Sequence, residues 1–521
     1  MMNKTMVALL AVLVSTGVFA QSNPEKYAAT ITEQSLRSQL TIVAGPAMEG
    51  RETATEGQKK AAAYIAGQFS AFGLKPAPGT NNFQQQFPLF YDSITKVELS
   101  LKGKKLEFGK DYIASSQNND TRKVKGKKLV FAGYGISDST YDDYAGKDVK
   151  GKIVVIFAGE PKKNDTYMVS GTTRPSRWSF PGTAPKVAVA LQKGATAVLV
   201  ISPTTPEFKP ENTAAASKTS MYYPKANGAA PNTLNVITLS HATAANLLGS
   251  TFAGLLEKAK TAQPLNNVDL SVKNKLAFNF EKAKLPLFSS NVVGVVEGSD
   301  KKDEYVVLTG HYDHLGKRGE VIFNGADDDG SGTVSVIEMA RAFAQAKAEG
   351  NGPRRSMVFM TVSGEEKGLW GSRYYSENPL FPLDKTSVNL NTDMVGRLDP
   401  SRKYGDSTNY VYVIGEDKLS TDLPTITDEA NNKFVHLELD RKFNANDPNR
   451  FYYRSDHYNF AKMGVPIIFY FNGTHADYHR ATDTIDKINF DVMTKRVHLV
   501  YHTAWIMANR DEMLKRDIPL K

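Results

Sequence analysis

YVVLT (305–309), SGTVSVIEMARAFAQAKA (331–348) and MVFMTV (357–362) follow one another as a strand, a helix and a second strand. The two short segments are apolar and rich in β-branched residues, which is typical of strands buried on both faces. The longer segment places Val334, Ile337, Ala340 and Ala344 on one helical face. This alternation predicts an α/β fold with a mixed, mostly parallel central sheet flanked by helices.

Two further regions of regular structure precede this sheet. Between residues 34 and 74, apolar residues recur every three to four positions on either side of Gly50-Arg51, which predicts two helices around a turn. From about Lys127 short apolar strands alternate with glycine and with a helix at 187–193, which predicts a smaller α/β unit. Residues 203–231 are rich in Pro, Ala, Ser and Asn and are predicted to form a long connection. The strands predicted before residue 240 are 97–101, 129–134, 153–157, 197–201 and 236–239.

The composition is that of a globular protein with more than one domain. The 521 residues exceed what one hydrophobic core usually organises, and the hydrophobic fraction of 41% is ordinary. The net charge of +9 is spread along the chain, so we expect a solvated basic surface and no nucleic-acid partner. Because the chain has no cysteine, any metal site must use histidine and carboxylate ligands.

The first twenty residues have the pattern of a secretory signal peptide. Lys4 precedes an apolar run from Met6 to Val14, and Val18-Phe19-Ala20 precedes the polar Gln21. We therefore expect residues 1–20 to be removed and the protein to be periplasmic or secreted. The run is too short to span a bilayer, and no later segment reaches about 18 apolar residues, so no stable membrane insertion is expected.

Side chains that can bind metal follow the predicted strands where each strand ends, or lie in the turn before helix 331–348. They are His311, Asp328, Glu365, Glu366, Asp393 and His479. Because the carboxyl ends of parallel strands form the ligand crevice of an open α/β sheet, we expect these residues to converge. Three carboxylates and a hydroxide would neutralise two dications, which makes a partly buried centre tolerable. The set predicts a two-metal centre for amide hydrolysis.

Five segments together resemble the metal motifs of the M28 zinc aminopeptidases. In chain order they are GHYD (310–313), GADDDGSG (325–332), SGEEKGL (363–369), NTDM (391–394) and DYH (477–479). The resemblance extends to Gly50-Arg51 and covers most of the chain after residue 20. It implies a zinc-exopeptidase fold and two Zn²⁺ ions per chain.

The resemblance implies a role for each ligand. His311 and Asp393 would bind one zinc ion, Glu366 and His479 would bind the other, and Asp328 would bridge the two. The peptide bond that follows the bridging aspartate would be cis, which is unusual before a residue other than proline.

The resemblance also implies the residues that complete the chemistry. Glu365 would accept a proton from the attacking water and return it to the departing amine, as general base and then general acid. Tyr478 would hydrogen-bond the developing oxyanion, and His457, from the motif Ser455-Asp456-His457, is a further catalytic candidate. Asp313 would orient the zinc-binding histidine that stands two residues before it.

Residues 125–262 resemble a protease-associated (PA) domain inserted into the peptidase domain. The resemblance is carried by GYG (133–135), KGK (150–152) and GATA (194–197). It divides the remaining chain into an N-terminal part of the peptidase domain, 21–124, and the catalytic dizinc domain, 263–521. In the resembled family such an insert typically sits beside the active-site mouth, which implies a role in restricting the peptides that reach the site.

Several of these residues also have a simpler interpretation. His314 and His475 are interpreted as hydrogen-bonded structural residues, because a lone histidine has that role more often than it binds metal. The acidic turn 327–329 is by itself also typical of a solvated loop or a calcium site. Three consecutive residues such as 455–457 cannot align as a catalytic triad.

The sequence as a whole predicts an exported metallo-exopeptidase that removes N-terminal residues from peptides with a free N-terminus. The nearest alternative is a carboxypeptidase or dipeptidase on the same dizinc site. A non-catalytic binding protein of the same architecture and a single-zinc glutaminyl cyclase are further alternatives.

Overall fold

The computed structural model describes residues 23–80, 82–180, 182–224 and 233–520. The chain divides into two compact units, one formed by Met1–Phe87 with Phe288–Lys521 and the other by Pro88–Leu287. The predicted signal peptide lies outside the described residues. Within those residues, no helix is both long enough and apolar enough to cross a membrane.

The first unit is built on a mixed, mostly parallel sheet, as predicted. Its four central strands are parallel and lie in the order Arg355–Val362, Lys301–His311, Thr386–Thr392 and Ile467–Phe471. On one side the sheet continues with Tyr410–Ile414, antiparallel to its neighbour, and Glu438–Asp440. On the other side it continues with the C-terminal part of Ser271–Val296, which is antiparallel, and the short strand Lys75–Pro76. A separate pair is formed by Lys317–Arg318 and Val321–Ile322.

Helices pack on both faces of this sheet. Successive side chains of a strand point to opposite faces, and apolar side chains on both faces need helices to cover them. Val306 and Leu308 belong to the apolar cluster of one face and Val307 to that of the other. The helices of this unit are Pro24–Ala28, Glu33–Val43, Glu56–Ala71, Gly332–Ala348, Trp370–Glu377, Leu423–Ala430, His457–Ala461 and Phe490–Asn509. Short 3-10 or π turns are formed by Pro46–Arg51, Ala326–Ser331, Leu383–Lys385, Asn431–Val435, Lys442–Asn444, Phe451–Tyr453 and Ile485–Lys487.

The second unit is also α/β. Four parallel strands lie in the order Arg122–Phe131, Ile153–Phe157, Ala197–Ile201 and Asn235–Leu239, between an antiparallel segment of Ser271–Val296 and the short strand Tyr112–Ile113. Gln84–Leu101 pairs with Lys104–Leu106, and Lys162–Lys163 pairs with Thr166–Tyr167. The helices are Thr183–Gln192, Pro210–Ser217, His241–Leu248, Gly249–Thr251 and Phe252–Lys260.

The second unit extends beyond the insert predicted at 125–262. Leu99 and Leu101 before it, and Phe278 and Phe280 after it, are buried in the core of this unit, so the flanking segments belong to the same body. The prediction of one long loop at 203–231 is wrong in part, because Pro210–Ser217 is helical; residues 225–232 lie outside the described residues. The likeness of residues 125–262 to a PA domain stays a prediction.

Candidate metal centre

The ends of the four parallel strands bring the predicted ligands to one edge of the sheet. His311 is the last residue of its strand, Glu365 and Glu366 follow Arg355–Val362, Asp393 follows Thr386–Thr392, and His479 lies beyond Ile467–Phe471. Asp328 comes from the turn Ala326–Ser331, directly before the helix Gly332–Ala348.

Asp328 stands between two groups of ligand atoms. Its Oδ1 lies 3.2 Å from His311 Nε2, which in turn lies 3.6 Å from Asp393 Oδ1. Its Oδ2 lies 3.2 Å from His479 Nε2, which lies 3.1 Å from Glu366 Oε2. The structure therefore brings all five predicted ligands together and divides the two oxygens of Asp328 between the two groups.

These atoms fit a pair of metal ions. Atoms bound about 2.0–2.2 Å from one tetrahedral zinc ion lie roughly 3.3–3.6 Å apart, close to the separations found here. Among the described residues, His311 Nε2, Asp328 Oδ2 and Glu366 Oε1 are buried without a hydrogen-bond partner. Buried polar atoms are normally satisfied, so three unpaired atoms of metal-binding types in one place fit a bound cation.

The electrostatics of the cluster also favour cations. Burial alone would lower the pKa of His311, but Asp393, Glu365 and Asp328 outweigh it and hold that pKa well above its usual value. Burial acts likewise on His479, whose pKa is nevertheless raised to about 10 by its contacts with Asp328 and Glu366. A cluster that retains protons this strongly has a large negative potential to offer a metal ion.

The acidic turn 327–329 is not a solvated loop, because its three carboxylates are buried and have different partners. Asp329 lies within ligand distance of His311 and Asp393, but its oxygens accept main-chain N–H groups from His311, Gly332 and Met394. Asp327 contacts His475 Nε2 at 3.1 Å and accepts the N–H of Gly396. Asp328 is therefore the member of the turn that is free to bind metal, and the bond from it to Asp329 is cis, as predicted.

Two aspartates outside the predicted ligand set, Asp483 and Asp313, hold the acidic turn 327–329 and His311 in place. Asp483 accepts the main-chain N–H groups of Asp327 and Asp328, at 3.0 Å and 3.1 Å from its Oδ2. His311 Nδ1 donates to the carbonyl oxygen of Asp313 at 3.0 Å, which directs Nε2 toward the carboxylates. Asp313 thus orients His311 mainly through its main chain, whereas its carboxylate accepts the Glu365 N–H and the Thr53 hydroxyl.

Glu365 and Tyr478 lie at the pocket beside the centre. Glu365 Oε2 is 3.9 Å from His311 Nε2, and burial, with Asp393 and Glu366 nearby, raises the pKa of Glu365 well above its usual range. Burial and the neighbouring Asp328 likewise raise the pKa of Tyr478, so its hydroxyl stays protonated and can donate a hydrogen bond. The pocket has about 370 Å³ of empty space, and its apolar lining comes from Met394, Phe451, Phe469 and Phe471.

His457 does not join the centre. Its Nε2 contacts the carbonyl of Tyr452, its ring stacks on Phe469, and burial lowers its pKa to about 3. Its neighbour Ser455 is the residue of this motif that reaches a ligand, because its hydroxyl donates to Asp393 Oδ2 at 2.6 Å. The motif Ser455-Asp456-His457 was the available signal, but it did not indicate which of its residues contacts the predicted ligands.

Sequence reasoning set His314 and His475 aside as structural, and only one of them fits that interpretation. His475 has its partner in Asp327. His314 is fully buried, and neither ring nitrogen has a hydrogen-bond partner among the described residues. Its Nδ1 lies 2.7 Å from Glu366 Oε1, so the structure places it at the candidate metal centre.

The fold and the buried histidine and carboxylate side chains define the class of site as a candidate metal centre on an α/β sheet. Residues 291–504 match the sequence profile of peptidase family M28. The solved structure of an aminopeptidase from Aneurinibacillus sp. strain AM-1 shares the fold, with a TM-score of 0.51 and 19% identity over 96% of this chain and 100% of that one.

Two curated relatives match in sequence over part of their length. A probable zinc metalloprotease of Pyrenophora tritici-repentis is 29% identical over 269 residues, which cover 44% of this chain and 53% of that protein. Leucine aminopeptidase 1 of Uncinocarpus reesii is 28% identical over 266 residues, which cover 49% of this chain and 62% of that protein. The chain thus spans about half of the first relative.

Proposed function

We propose that this protein is a dizinc exopeptidase that releases N-terminal residues from peptides. The observation that carries the proposal is the position of Asp328, whose two oxygens face His311 and His479 at 3.2 Å each. Asp393 completes one group and Glu366 the other. When bound, two zinc ions would polarise the scissile carbonyl and lower the pKa of a water molecule between them.

Glu365 would move the proton that the reaction requires. Hydrolysis adds the water oxygen to the carbonyl carbon, and breaking of the C–N bond leaves an amine that needs a proton. The raised pKa of Glu365 suits a carboxylate that takes this proton from water and returns it to the amine. It is 12% exposed and lines the pocket, so it can reach a substrate and is shielded from bulk water.

Tyr478 would stabilise the negative charge that develops on the carbonyl oxygen. Its ring stacks on that of His479 with centroids 3.9 Å apart, which fixes the direction of its hydroxyl. A protonated phenol held next to the reacting carbonyl can donate to the oxyanion in the transition state.

Glu365, the pocket carboxylate that is not assigned to a metal ion, favours a substrate with a free α-ammonium group, as an aminopeptidase requires. One observation favours the carboxypeptidase or dipeptidase alternative. Arg454 lines the same pocket, and its contacts there are the Tyr478 hydroxyl at 3.4 Å and the ring of Phe451. A guanidinium without a carboxylate partner among the described residues could bind a C-terminal carboxylate.

The test uses aminoacyl p-nitroanilides, N-acetylated peptides with a free C-terminus, and free dipeptides. An aminopeptidase cleaves the first group and ignores the second; the reverse pattern supports the carboxypeptidase alternative, and cleavage of dipeptides alone supports a dipeptidase. Chelation should abolish all turnover, and zinc should restore it. Glu365→Gln should lower kcat by at least about 100-fold while both zinc ions stay bound, and full turnover in that variant would remove Glu365 from its role.

We also propose that the protein is exported and that residues 125–262 act as a PA-like insert that restricts substrate size. The first proposal rests on the charge and apolar run of residues 1–20. Expression in a bacterium with fractionation and N-terminal sequencing tests it, with Gln21 expected as the first residue. Comparing the turnover of short and long peptides tests the second proposal, which expects that short peptides are cleaved faster.

A further inference from the structure

His314 is a buried imidazole without a hydrogen-bond partner among the described residues. Its side chain is fully inaccessible to solvent, and among the described histidines it is the one with both ring nitrogens buried and unpaired. Other histidines of the first unit have found partners, such as Asp327 for His475 and the carbonyl of Ile31 for His498. An unsatisfied buried ring of this kind costs free energy, so His314 lacks a partner that belongs to the working protein.

The atoms that face His314 are also unpaired. Its Nδ1 lies 2.7 Å from Glu366 Oε1 and 3.8 Å from Asp328 Oδ2, and both oxygens are buried without a hydrogen-bond partner among the described residues. Although Glu366 Oε1 is near, this ring nitrogen makes no hydrogen bond of regular geometry to the described residues. A cation among the three atoms would satisfy all of them together, whereas one proton would satisfy a single pair.

The main chain provides a space for this ring. A Cβ atom on Gly325 would come within 2.5 Å of the His314 ring carbons, and Gly325 has a φ of +55° that disfavours other residues. The main-chain N–H of His314 donates to the carbonyl of Arg51 at 3.3 Å. The guanidinium of Arg51 donates to the carbonyls of Tyr312 and Gly325, which fixes the main chain of two segments that contact His314.

We propose that His314 is a nitrogen ligand of the metal ion held by Asp328, Glu366 and His479. The inference rests on the proposed dizinc centre and makes its two sites unequal. One ion has two imidazoles, and the ion held by His311 and Asp393 has one. Because nitrogen donors favour zinc and related transition metals over Mg²⁺ and Ca²⁺, the site with two imidazoles binds zinc more tightly and fills first.

X-ray absorption of the zinc-loaded, unaltered protein tests the ligand count directly. The expected result is three imidazoles shared by two zinc ions, an average of one and a half per ion. An average of one imidazole per ion would overturn the proposal. The measurement does not require turnover, so it separates this inference from the proposed peptidase activity.

Substitutions then identify the histidine. His314→Phe keeps the ring and removes the donor atoms, and His314→Ala removes both. In competition with a fluorescent chelator, the tighter of the two zinc affinities should fall by at least about 100-fold in both variants, and the imidazole average should fall to one. His241→Ala, which alters a histidine that contacts Ser202 in the second unit, is the control and should change neither. Unchanged affinities and ligand count in correctly folded His314→Phe would overturn the proposal.

Discussion

The hydroxyl of Ser455 donates a hydrogen bond of 2.6 Å to Asp393 Oδ2, which leaves the other oxygen of that carboxylate facing His311. This hydrogen bond is the last of a buried series, because the Asn391 side chain donates to Ser455 and the Thr309 hydroxyl donates to Asn391. Both Thr309 and Asn391 lie on central strands of the sheet. The sheet thus fixes the orientation of a predicted metal ligand through a series of polar contacts.

Removal of the Ser455 hydroxyl should weaken metal binding. In Ser455→Ala, Asp393 loses the contact that orients it, and we expect the zinc affinity of its site to fall by about 10–100-fold. Titration of the metal-free protein with zinc measures the effect. Ser455→Thr retains a hydroxyl and should bind zinc nearly as well as the unaltered protein; equal losses in both variants would show that packing, and not the hydrogen bond, matters.

Tyr478→Phe should slow turnover without loss of metal. The phenol is proposed to contact the substrate mainly in the transition state, so kcat should fall by about 100-fold with little change in KM. Steady-state kinetics on an aminoacyl p-nitroanilide gives both constants. The exposed Tyr453, changed to Phe in the same way, is the control, and a rise in KM alone in Tyr478→Phe would contradict the assigned role.

Asp483 offers a matched pair of substitutions. Asp483→Ala removes the acceptor of two main-chain N–H groups in the turn that carries Asp328, and zinc retention should fall by about 10–100-fold. Asp483→Asn keeps one oxygen that can accept both N–H groups and should retain most zinc. Metal analysis after dialysis against a weak chelator compares the two. Equal retention in both variants would mean that the turn holds its shape without Asp483.

The stability of the second unit should depend on the protonation of Asp143. Burial raises the pKa of this carboxyl from 3.8 to about 6, although its oxygens accept the N–H groups of Tyr134 and Ile136. Between these pH values the folded chain holds a proton that the unfolded chain has released. Raising the pH through this window should therefore remove up to about 3 kcal/mol of stability, and none should return above it.

Asp143→Asn tests this linkage because an amide does not titrate in this range. Amide hydrogen exchange of strand Ile153–Phe157 between pH 4 and 7, corrected for the intrinsic rate, should show a loss of protection in the unaltered protein that the variant lacks. Asp142→Asn removes a neighbouring charge and should keep the pH dependence. The same slope in all three proteins would rule out Asp143 as its source.

Much of the first unit was predictable because its signals are local. Buried parallel strands are continuous apolar runs, and the strand predicted at 357–362 lies within Arg355–Val362. Helix 331–348 follows from its apolar periodicity, and the structure begins it one residue later. The convergence of His311, Glu366 and Asp393 followed from a general property of parallel sheets, since their strand ends share an edge.

The surroundings of the ligands were not predictable in the same way. Ser455, Asp483 and His314 act through contacts with residues that are 62, 155 and 52 positions away in the chain, and no periodicity encodes such pairs. The compact unit Pro88–Leu287 also depends on distant contacts, because Leu99 and Phe278 join one core and a local strand pattern does not say which core a strand joins.

Amino-acid order alone determined which ligand types are available to the proposed centre, because the chain has no cysteine and its histidine and carboxylate motifs occur in a recognisable succession. Folding decided how these donors are shared: which oxygen of Asp328 faces which imidazole, which carboxylates of the acidic turn are used by main-chain N–H groups, and where His314 points. The physical reason is that donor identity is a property of a residue, whereas ligand geometry depends on side-chain directions that only packing between distant segments determines.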